Sequence, residues 1–392
     1  MNTKSHPSRK TRPAPKTGGG ELAEPLQQLD RTFVLHRGRK LAYFAGCDYF
    51  RLSSRPEILQ ALTHGLDQFG LNVAASRKTT GNHPLYGQLE DELARFAAMP
   101  AALLVSNGYI TNLAVAQALA GTFTHALIDQ RAHGSLQDAA QMLGCPVIFF
   151  PHRDSASAAH LSRRLGSRAK IVLLTDGLFS HSGEVAPLDA YLRDSPPRTT
   201  LLVDDAHAFG VLGKTGRGTA EFLGLPASPR LIQTVTLSKS LGTYGGAILG
   251  TQELRERIIT RSRLFVGNTP LPLPLTAAAL TALGLLRGEP NLRRRLHFNA
   301  SYVKAALREA GLSINDGPGP IIPIQPRSAS DVTRLKRTLL KADIHPPYIN
   351  YLGGPKDGYF RFVISSEHTA AQLDTLVKVL TRHIRHAYRP RP

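Results

Sequence analysis

Apolar and polar positions alternate in a sustained rhythm of helix-like and strand-like stretches through the first two thirds of the chain. Helical spacing runs from residue 56 to about 69 and recurs over residues 85–98, 110–119, 134–143, 157–165 and 187–195. Short apolar runs lie between these stretches, at residues 102–105, 126–129, 147–150, 170–175 and 199–203, and read as buried strands. Two further strands flank Lys239. The first alternates through Ile232, Thr234, Val235 and Leu237, and a glycine-rich turn (Gly242, Gly245, Gly246) separates it from the second at residues 247–250. Helices alternating with strands predict an α/β domain with a mainly parallel sheet, whose ligand lies beyond the carboxyl ends of the strands.

The pattern changes after the prolines of residues 270–274. A long helical region (275–286, then 291–310) leads into a smaller α+β unit: strand 321–324, helix 329–342, strand 359–364, helix 370–387. Before the α/β region, residues 31–53 read as a short hairpin followed by an extended arm. The resulting division is a disordered basic tail at 1–25, an N-terminal arm at 26–55, a large domain at 56–285 and a small C-terminal domain at 286–392. No internal repeat of solenoid or propeller period is evident.

Composition narrows the class. Of 392 residues, 42% are hydrophobic and 20% charged, as in a soluble globular enzyme. No apolar run is long enough to span a bilayer and no signal-peptide core opens the sequence, so a cytoplasmic protein is expected. Cys47 and Cys145 fit neither a zinc spacing nor a disulfide framework, so no metal is expected. The net charge of +19 asks for an anionic partner. Part of it lies in the tail (Lys4, Arg9, Lys10, Arg12, Lys16) and the rest is spread over the body, as at Arg293, Arg294 and Arg295. Nucleic acid is disfavoured, because no zinc-finger, RNA-binding or leucine-zipper signature is present. A polyphosphate substrate such as coenzyme A accounts for the charge as well.

Chemistry gathers at strand ends. One strand runs into Asp204, Asp205 and His207, and the next into Lys239 among small residues. A lysine leaving the core there either caps the strand with its charge in water or, desolvated, becomes a nucleophilic amine able to form a Schiff base. An acid to keep a pyridine nitrogen protonated and a lysine to form an imine are what pyridoxal phosphate chemistry requires.

With these residues placed, the chain resembles the α-oxoamine synthase family of fold-type I pyridoxal phosphate enzymes over about residues 41–380. SNGYITN, DDAHAFGVLGKTGRG, TLSKSLGTYGG and FRFVISSEHT stand in the family's order and spacing. The resemblance implies an aspartate aminotransferase-like fold, with a large mainly parallel-sheet domain and a smaller C-terminal α+β domain. It makes Lys239 the Schiff-base lysine, Asp204 the partner of the ring nitrogen, His207 the partner of the phenolic oxygen and His133 the residue stacked on the ring. Asn107, Gly108 and Tyr109 match the phosphate loop, Thr236 a hydroxyl contact to the same phosphate, and Ser180 a serine beside the cofactor. Arg361 matches the arginine that grips the substrate carboxylate.

Departures cluster on the substrate side. Cys47 replaces the asparagine that assists this arginine, the glycine-rich run before Ser76-Arg77 is here Val73-Ala74-Ala75, Tyr86 replaces a histidine, and Ser180-His181-Ser182-Gly183-Glu184 replaces Ser-Met-Asp-Gly-Asp. Cys47 and Ser76 are kept as candidate substrate contacts.

The implied reaction is a decarboxylating condensation of a small amino acid with an acyl-CoA or acyl-carrier-protein thioester. A short chain without a large extension favours alanine and a pimeloyl thioester. A homodimer is expected, with a partner-subunit phosphate contact from Gly267-Asn268-Thr269. The rivals are another family member's substrates, an aminotransferase or lyase using the same cofactor, and a silent subunit or basic nucleic-acid-binding protein on the same fold.

Overall fold

The computed structural model describes residues 22–350, 354, 355 and 357–387. The basic tail expected at residues 1–25 therefore lies outside the described residues up to residue 21. Among the described residues the strands are β1 (Gln27–Gln28), β2 (Phe33–His36), β3 (Arg39–Ala42), β4 (Ala101–Val105), β5 (His125–Asp129), β6 (Val147–Phe150), β7 (Ile171–Asp176), β8 (Thr200–Asp204), β9 (Leu231–Thr236), β10 (Gly246–Gly250), β11 (Ile321–Ile324), β12 (Tyr348–Ile349) and β13 (Tyr359–Val363). They form three sheets, ordered β1-β2-β3, β4-β10-β9-β8-β7-β5-β6 and β11-β13-β12.

The central seven-stranded sheet is parallel except for β10, which pairs antiparallel with both β4 and β9. All residues of β4, β7, β9 and β10 are buried, so β4 and most of β7 are continuous apolar runs, while β9 carries Gln233, Thr234 and Thr236 inside the core. Core clusters cover both faces. On one, β9 and β10 pack Val235, Ala247 and Leu249 against the helices Pro84–Ala97 and Leu273–Gly288. On the other, Ile232 and Ile248 meet the helices Gly108–Ala118 and Gly134–Met142. β10 reverses direction because the turn after Lys239 folds straight back, with Gly242 at φ 63° and Gly245 at φ 120°. A Cβ on Gly242 would lie 2.4 Å from the Ser53 backbone nitrogen, so the arm lies directly against this turn.

Sequence and structure differ at some ends and in three helices, the first of them the short Thr219–Phe222. The helix expected at 157–165 is Ser155–Arg164, because Asp154 caps it by accepting the Ser157 N–H at 2.9 Å. The helices Gln252–Arg261 and Arg263–Val266 were not anticipated; the first is highly polar and buries only Leu254 and Ile258.

The arm runs beside the small C-terminal sheet. Val363 N–H donates to Phe44 O and Ser366 N–H to Tyr49 O, each at 2.9 Å. His368 is buried and stacks on Phe44 at 4.2 Å. Its Nδ1 accepts the Ser365 N–H at 2.9 Å, which leaves Nε2–H to donate to Tyr43 O at 3.1 Å. Burial holds His368 down at about 3, so it is a neutral fastener between arm and sheet.

Candidate active site

Strand ends of the central sheet and the adjoining arm supply the site. At the end of β8, Asp204 is buried with both oxygens engaged. Oδ2 accepts from Asn112 Nδ2 at 2.7 Å and from Ser135 Oγ at 3.5 Å, and Oδ1 accepts the Ala206 N–H at 3.1 Å. Asn112 is itself held, its Oδ1 accepting from Thr234 Oγ1 at 2.7 Å. The neighbouring Asp205 turns away from this group. It accepts from Thr219 N, Thr219 Oγ1 and Gln233 Nε2, and burial pushes it up to about 6 against those bonds. Its role is to pin the Arg217–Thr219 loop.

Lys239 follows β9. Burial by surrounding protein atoms lowers its pKa, although part of its surface stays open, and Cys47 and Asp204 partly offset the shift. His133 caps the helix Gly134–Met142, receives Asp204's and Lys239's fields, and is held below its usual value chiefly by burial. Its backbone N–H donates to Asp176 Oδ2 at 2.8 Å, at the end of β7. Burial, with Asp204's charge second, pushes Asp176 well above the ordinary carboxylate range. His207 is buried and held well below its usual value by burial and then by Lys239 and Arg361, so the imidazole is neutral. Its Nδ1 lies 2.6 Å from the Tyr49 hydroxyl.

At the start of the helix Gly108–Ala118, Asn107 accepts the Ile110 N–H at 3.1 Å. Gly108 abuts Thr236: a Cβ there would lie 2.7 Å from Thr236 Cβ. Thr236 Oγ1 and Ser238 Oγ are 2.8 Å apart, with Ser238 exposed. A helix N-terminus beside two hydroxyls is a ready anion site. Tyr109 stands edge-on to His133 at 6.0 Å and donates its hydroxyl to Asp138.

On the arm, Cys47 Sγ accepts from Arg361 Nη2 on β13 at 3.0 Å. Burial works against the Arg361 charge, but Cys47, Tyr49 and Tyr359 outweigh it and raise its pKa. Arg361 Nε is buried and has no hydrogen-bond partner among the described residues.

Lys239, Asp204, His207, His133, Cys47 and Arg361 thus share one electrostatic neighbourhood. Ser180 and Ser76 make no hydrogen bond to this group among the described residues. Ser180 is buried in the turn beyond β7, and Ser76 lies in a separate turn whose carbonyl accepts from Thr79 and Gly81. Tyr86, where a histidine was expected, donates to Leu271 O at 2.7 Å. Asn112, Ser135, Thr234, Asp176, Ser238 and Tyr49 escaped the sequence reading. Asp176 alone carried a signal, since β5, β7 and β8 all end in aspartate.

The residues present fit pyridoxal phosphate. An oriented carboxylate, a desolvated lysine, a neutral imidazole and a helix start closed against Thr236 correspond to its ring nitrogen, aldehyde, phenolic oxygen and phosphate.

Comparison with known proteins gives the same answer. Residues 49–380 match the family described as aminotransferase class I and II, and the chain belongs to that family of pyridoxal phosphate enzymes. Within it the chain falls in the α-oxoamine synthase branch. It is 35% identical over 350 residues to the 8-amino-7-oxononanoate synthase of Thioalkalivibrio sulfidiphilus, covering 89% of each chain. It is 33% identical over 374 residues to that of Trichlorobacter lovleyi, covering 94% of this chain and 95% of the relative. The structure of 8-amino-7-oxononanoate synthase from Francisella tularensis superposes with a TM-score of 0.77 at 26% identity, over 89% of this chain and 99% of that one. Sphingomonas wittichii serine palmitoyltransferase superposes with a TM-score of 0.84 at 24% identity, over 92% and 91%, which is a likeness of fold.

Proposed function

We propose that this protein condenses L-alanine with a pimeloyl thioester of coenzyme A or an acyl carrier protein, releasing the thiol and carbon dioxide to leave an α-amino ketone. This is the reaction of 8-amino-7-oxononanoate synthase in biotin synthesis. The observation that carries the reading is the meeting of an oriented Asp204, a desolvated Lys239 and a neutral His207 with a guanidinium on the facing small sheet. The relatives named for this activity support the choice within the branch.

When bound, pyridoxal phosphate supplies an electron sink for the pair left at the substrate Cα. Asp204, oriented by Asn112, Ser135 and the Ala206 N–H, would hold the protonated ring nitrogen. His207 would meet the phenolic oxygen, and His133 the ring face, where it would exclude water. The Gly108–Ala118 helix start, Asn107, Tyr109, Thr236 and Ser238 would hold the phosphate, with Ser180 beside the ring.

Lys239, its pKa lowered by burial, takes the proton from Cα. Arg361 grips the substrate carboxylate, with Cys47 beside it and Ser76 at the outer wall. The protein acts as a homodimer, and Gly267-Asn268-Thr269 faces the partner's phosphate site; within the chain Asn268 Nδ2 donates to Ser106 Oγ at 2.9 Å, next to the helix start.

Single amino acids incubated with a panel of thioesters, with free thiol as the readout, test the reading. Alanine with the pimeloyl thioester should give the fastest release. No thiol from any pair, together with amino-group transfer to a keto acid, would show an aminotransferase instead.

A further inference from the structure

His133 has two ring nitrogens, and the helix it caps already occupies one of them. Its Nδ1 accepts the Ser135 backbone N–H at 3.3 Å and lies 2.8 Å from the Ser135 hydroxyl. That hydroxyl oxygen receives Asn112 Nδ2 at 2.9 Å and stands 3.5 Å from Asp204 Oδ2. The Asn112 amide cannot be turned round, because its Oδ1 accepts from Thr234 Oγ1 at 2.7 Å while Nδ2 serves both Ser135 and Asp204. Ser135 and Asn112 have no exposed surface, so bulk water does not compete for these groups.

Proton counting then decides the imidazole, since a neutral ring has one N–H and one lone pair. A hydroxyl can turn its hydrogen, but the backbone N–H of Ser135, the second residue of its helix, cannot turn away. A proton on Nδ1 would point at that N–H across 3.3 Å, and the two donors would repel. Nδ1 therefore holds the lone pair, and the proton of the neutral ring sits on Nε2. The Ser135 hydroxyl adds its hydrogen to the same lone pair, because Nδ1 at 2.8 Å is a nearer acceptor than Asp204 Oδ2 at 3.5 Å. The His133 backbone is fixed as well, its N–H donating to Asp176 Oδ2 at 2.8 Å.

We propose that Ser135 locks His133 as a neutral imidazole with its one proton on Nε2, so that His133 acts at the cofactor ring as a hydrogen-bond donor and neither gives nor takes a proton in the reaction. The proposal rests on the place given above to His133 at the ring face. Ser135 is a positioning residue, since it acts through His133. A neutral ring whose only lone pair is occupied has no open site for a proton, and loss of Nε2–H would leave an anion. Proton transfer at Cα is then left to Lys239.

The surroundings agree with an uncharged ring. Burial is the largest influence and keeps His133 below its usual value; Lys239 acts in the same direction, while Asp204 and Asp138 oppose it. Asp176 meets the His133 backbone, Tyr109 stands edge-on to the ring at 6.0 Å, and His207 feels the field of His133 from the loop after β8. To become a cation, His133 would have to turn the Ser135 hydroxyl hydrogen toward Asp204, and its Nδ1–H would still face the Ser135 N–H.

The test is nitrogen NMR of the holoenzyme carrying isotope-labelled histidine, with His133→Asn used only to assign the two ring signals of His133. At neutral pH the wild type should show a proton on Nε2 and none on Nδ1. Acid titration then reads the part played by the hydroxyl. A donor to the lone pair opposes protonation, so Ser135→Ala should raise the His133 midpoint by about half to one pH unit. Ser135→Cys, which refills the space with a poor donor, should raise it likewise. A proton on Nδ1 in the wild type, or a midpoint that falls or stays where it was in both variants, overturns the lock. Apoenzyme spectra keep the underlying assignment apart: if adding pyridoxal phosphate leaves both His133 signals unmoved, it is the placement of His133 at the ring that has failed.

Discussion

Replacing Asn112 with leucine removes the shortest hydrogen bond to Asp204. Asn112 is fully buried, and its Nδ2 donates to Asp204 Oδ2 at 2.7 Å and to Ser135 Oγ at 2.9 Å, so the change reaches the reaction through that carboxylate and the hydroxyl beside it. Leucine keeps the branching at Cγ but removes the 2.7 Å donor to Oδ2, leaving that oxygen with only the long 3.5 Å contact from Ser135. The Thr234 hydroxyl loses its acceptor too, yet can turn to Val203 O at 3.3 Å, so the fold keeps its hydrogen bonds there. A hydrogen bond to a charged group contributes about 1.5–3 kcal/mol. Lost from the form of Asp204 that balances a protonated ring nitrogen, this corresponds to roughly 10- to 150-fold in rate. The assay is exchange of the alanine Cα proton in deuterated buffer, followed by proton NMR, which needs no thioester. Cofactor saturation and melting temperature serve as controls. Exchange within about twofold of wild type, at full cofactor occupancy, would refute the claim that Asn112 sustains the Asp204 charge.

Three further outcomes follow from single contacts. Lys239→Ala should lose the visible band of the lysine-bound cofactor and its borohydride-fixed adduct while keeping its circular dichroism, since the Lys239 side chain makes no hydrogen bond with a described residue; an adduct at another lysine would contradict this. Gly108→Ala places a Cβ 2.7 Å from Thr236 Cβ, roughly 1 Å inside the spacing of packed carbons. Overpacking of this kind costs about 1–3 kcal/mol, so cofactor affinity should fall about 5- to 150-fold, and an unchanged dissociation constant would remove the phosphate role from this helix start. Lys304 is held down to about 8 by burial while donating to Gly317 O at 2.7 Å. Its folded pKa lies below the unfolded value, so the unfolded chain binds the proton more tightly and stability should rise between about pH 8 and 10.5, by at most roughly 3 kcal/mol. Urea melts of wild type and Lys304→Met at the two ends of that window should differ in slope; parallel curves would sink this assignment.

The sequence was most legible where one residue type has one physical use. Parallel strands buried on both faces are largely apolar runs, so β4, β5, β7 and β8 were readable nearly to the residue. The antiparallel direction of β10 was not readable, because nothing local distinguishes it from a parallel strand; the tight glycine turn decides it. Lys239 and Asp204 were visible as charges where the core ends. Asn112 and Tyr49 were not, because an uncharged residue inside a helix or arm acquires its meaning only from what it meets, here residues from β8 and the loop after it. Asp176 was visible and passed over: its strand ends in aspartate as β8 does, but the partner that gives it a use is a backbone N–H.

The uneven legibility follows from how the two halves of the site are built. The cofactor half stands on ends of central-sheet strands, where Asp204 is buried and receives a hydrogen bond from Asn112 of the Gly108–Ala118 helix. The substrate half is assembled from the arm and β13, joined by backbone hydrogen bonds at Phe44 and Tyr49 and by the neutral His368. Those joints do not involve the side chain of residue 47. An arm fastened through its backbone can therefore exchange asparagine for cysteine beside Arg361 without moving the guanidinium or the lysine turn. Residue 47 thus changes the group beside Arg361 through a contact of its own, Cys47 Sγ with Arg361 Nη2, while its field still reaches Lys239 at the sheet end.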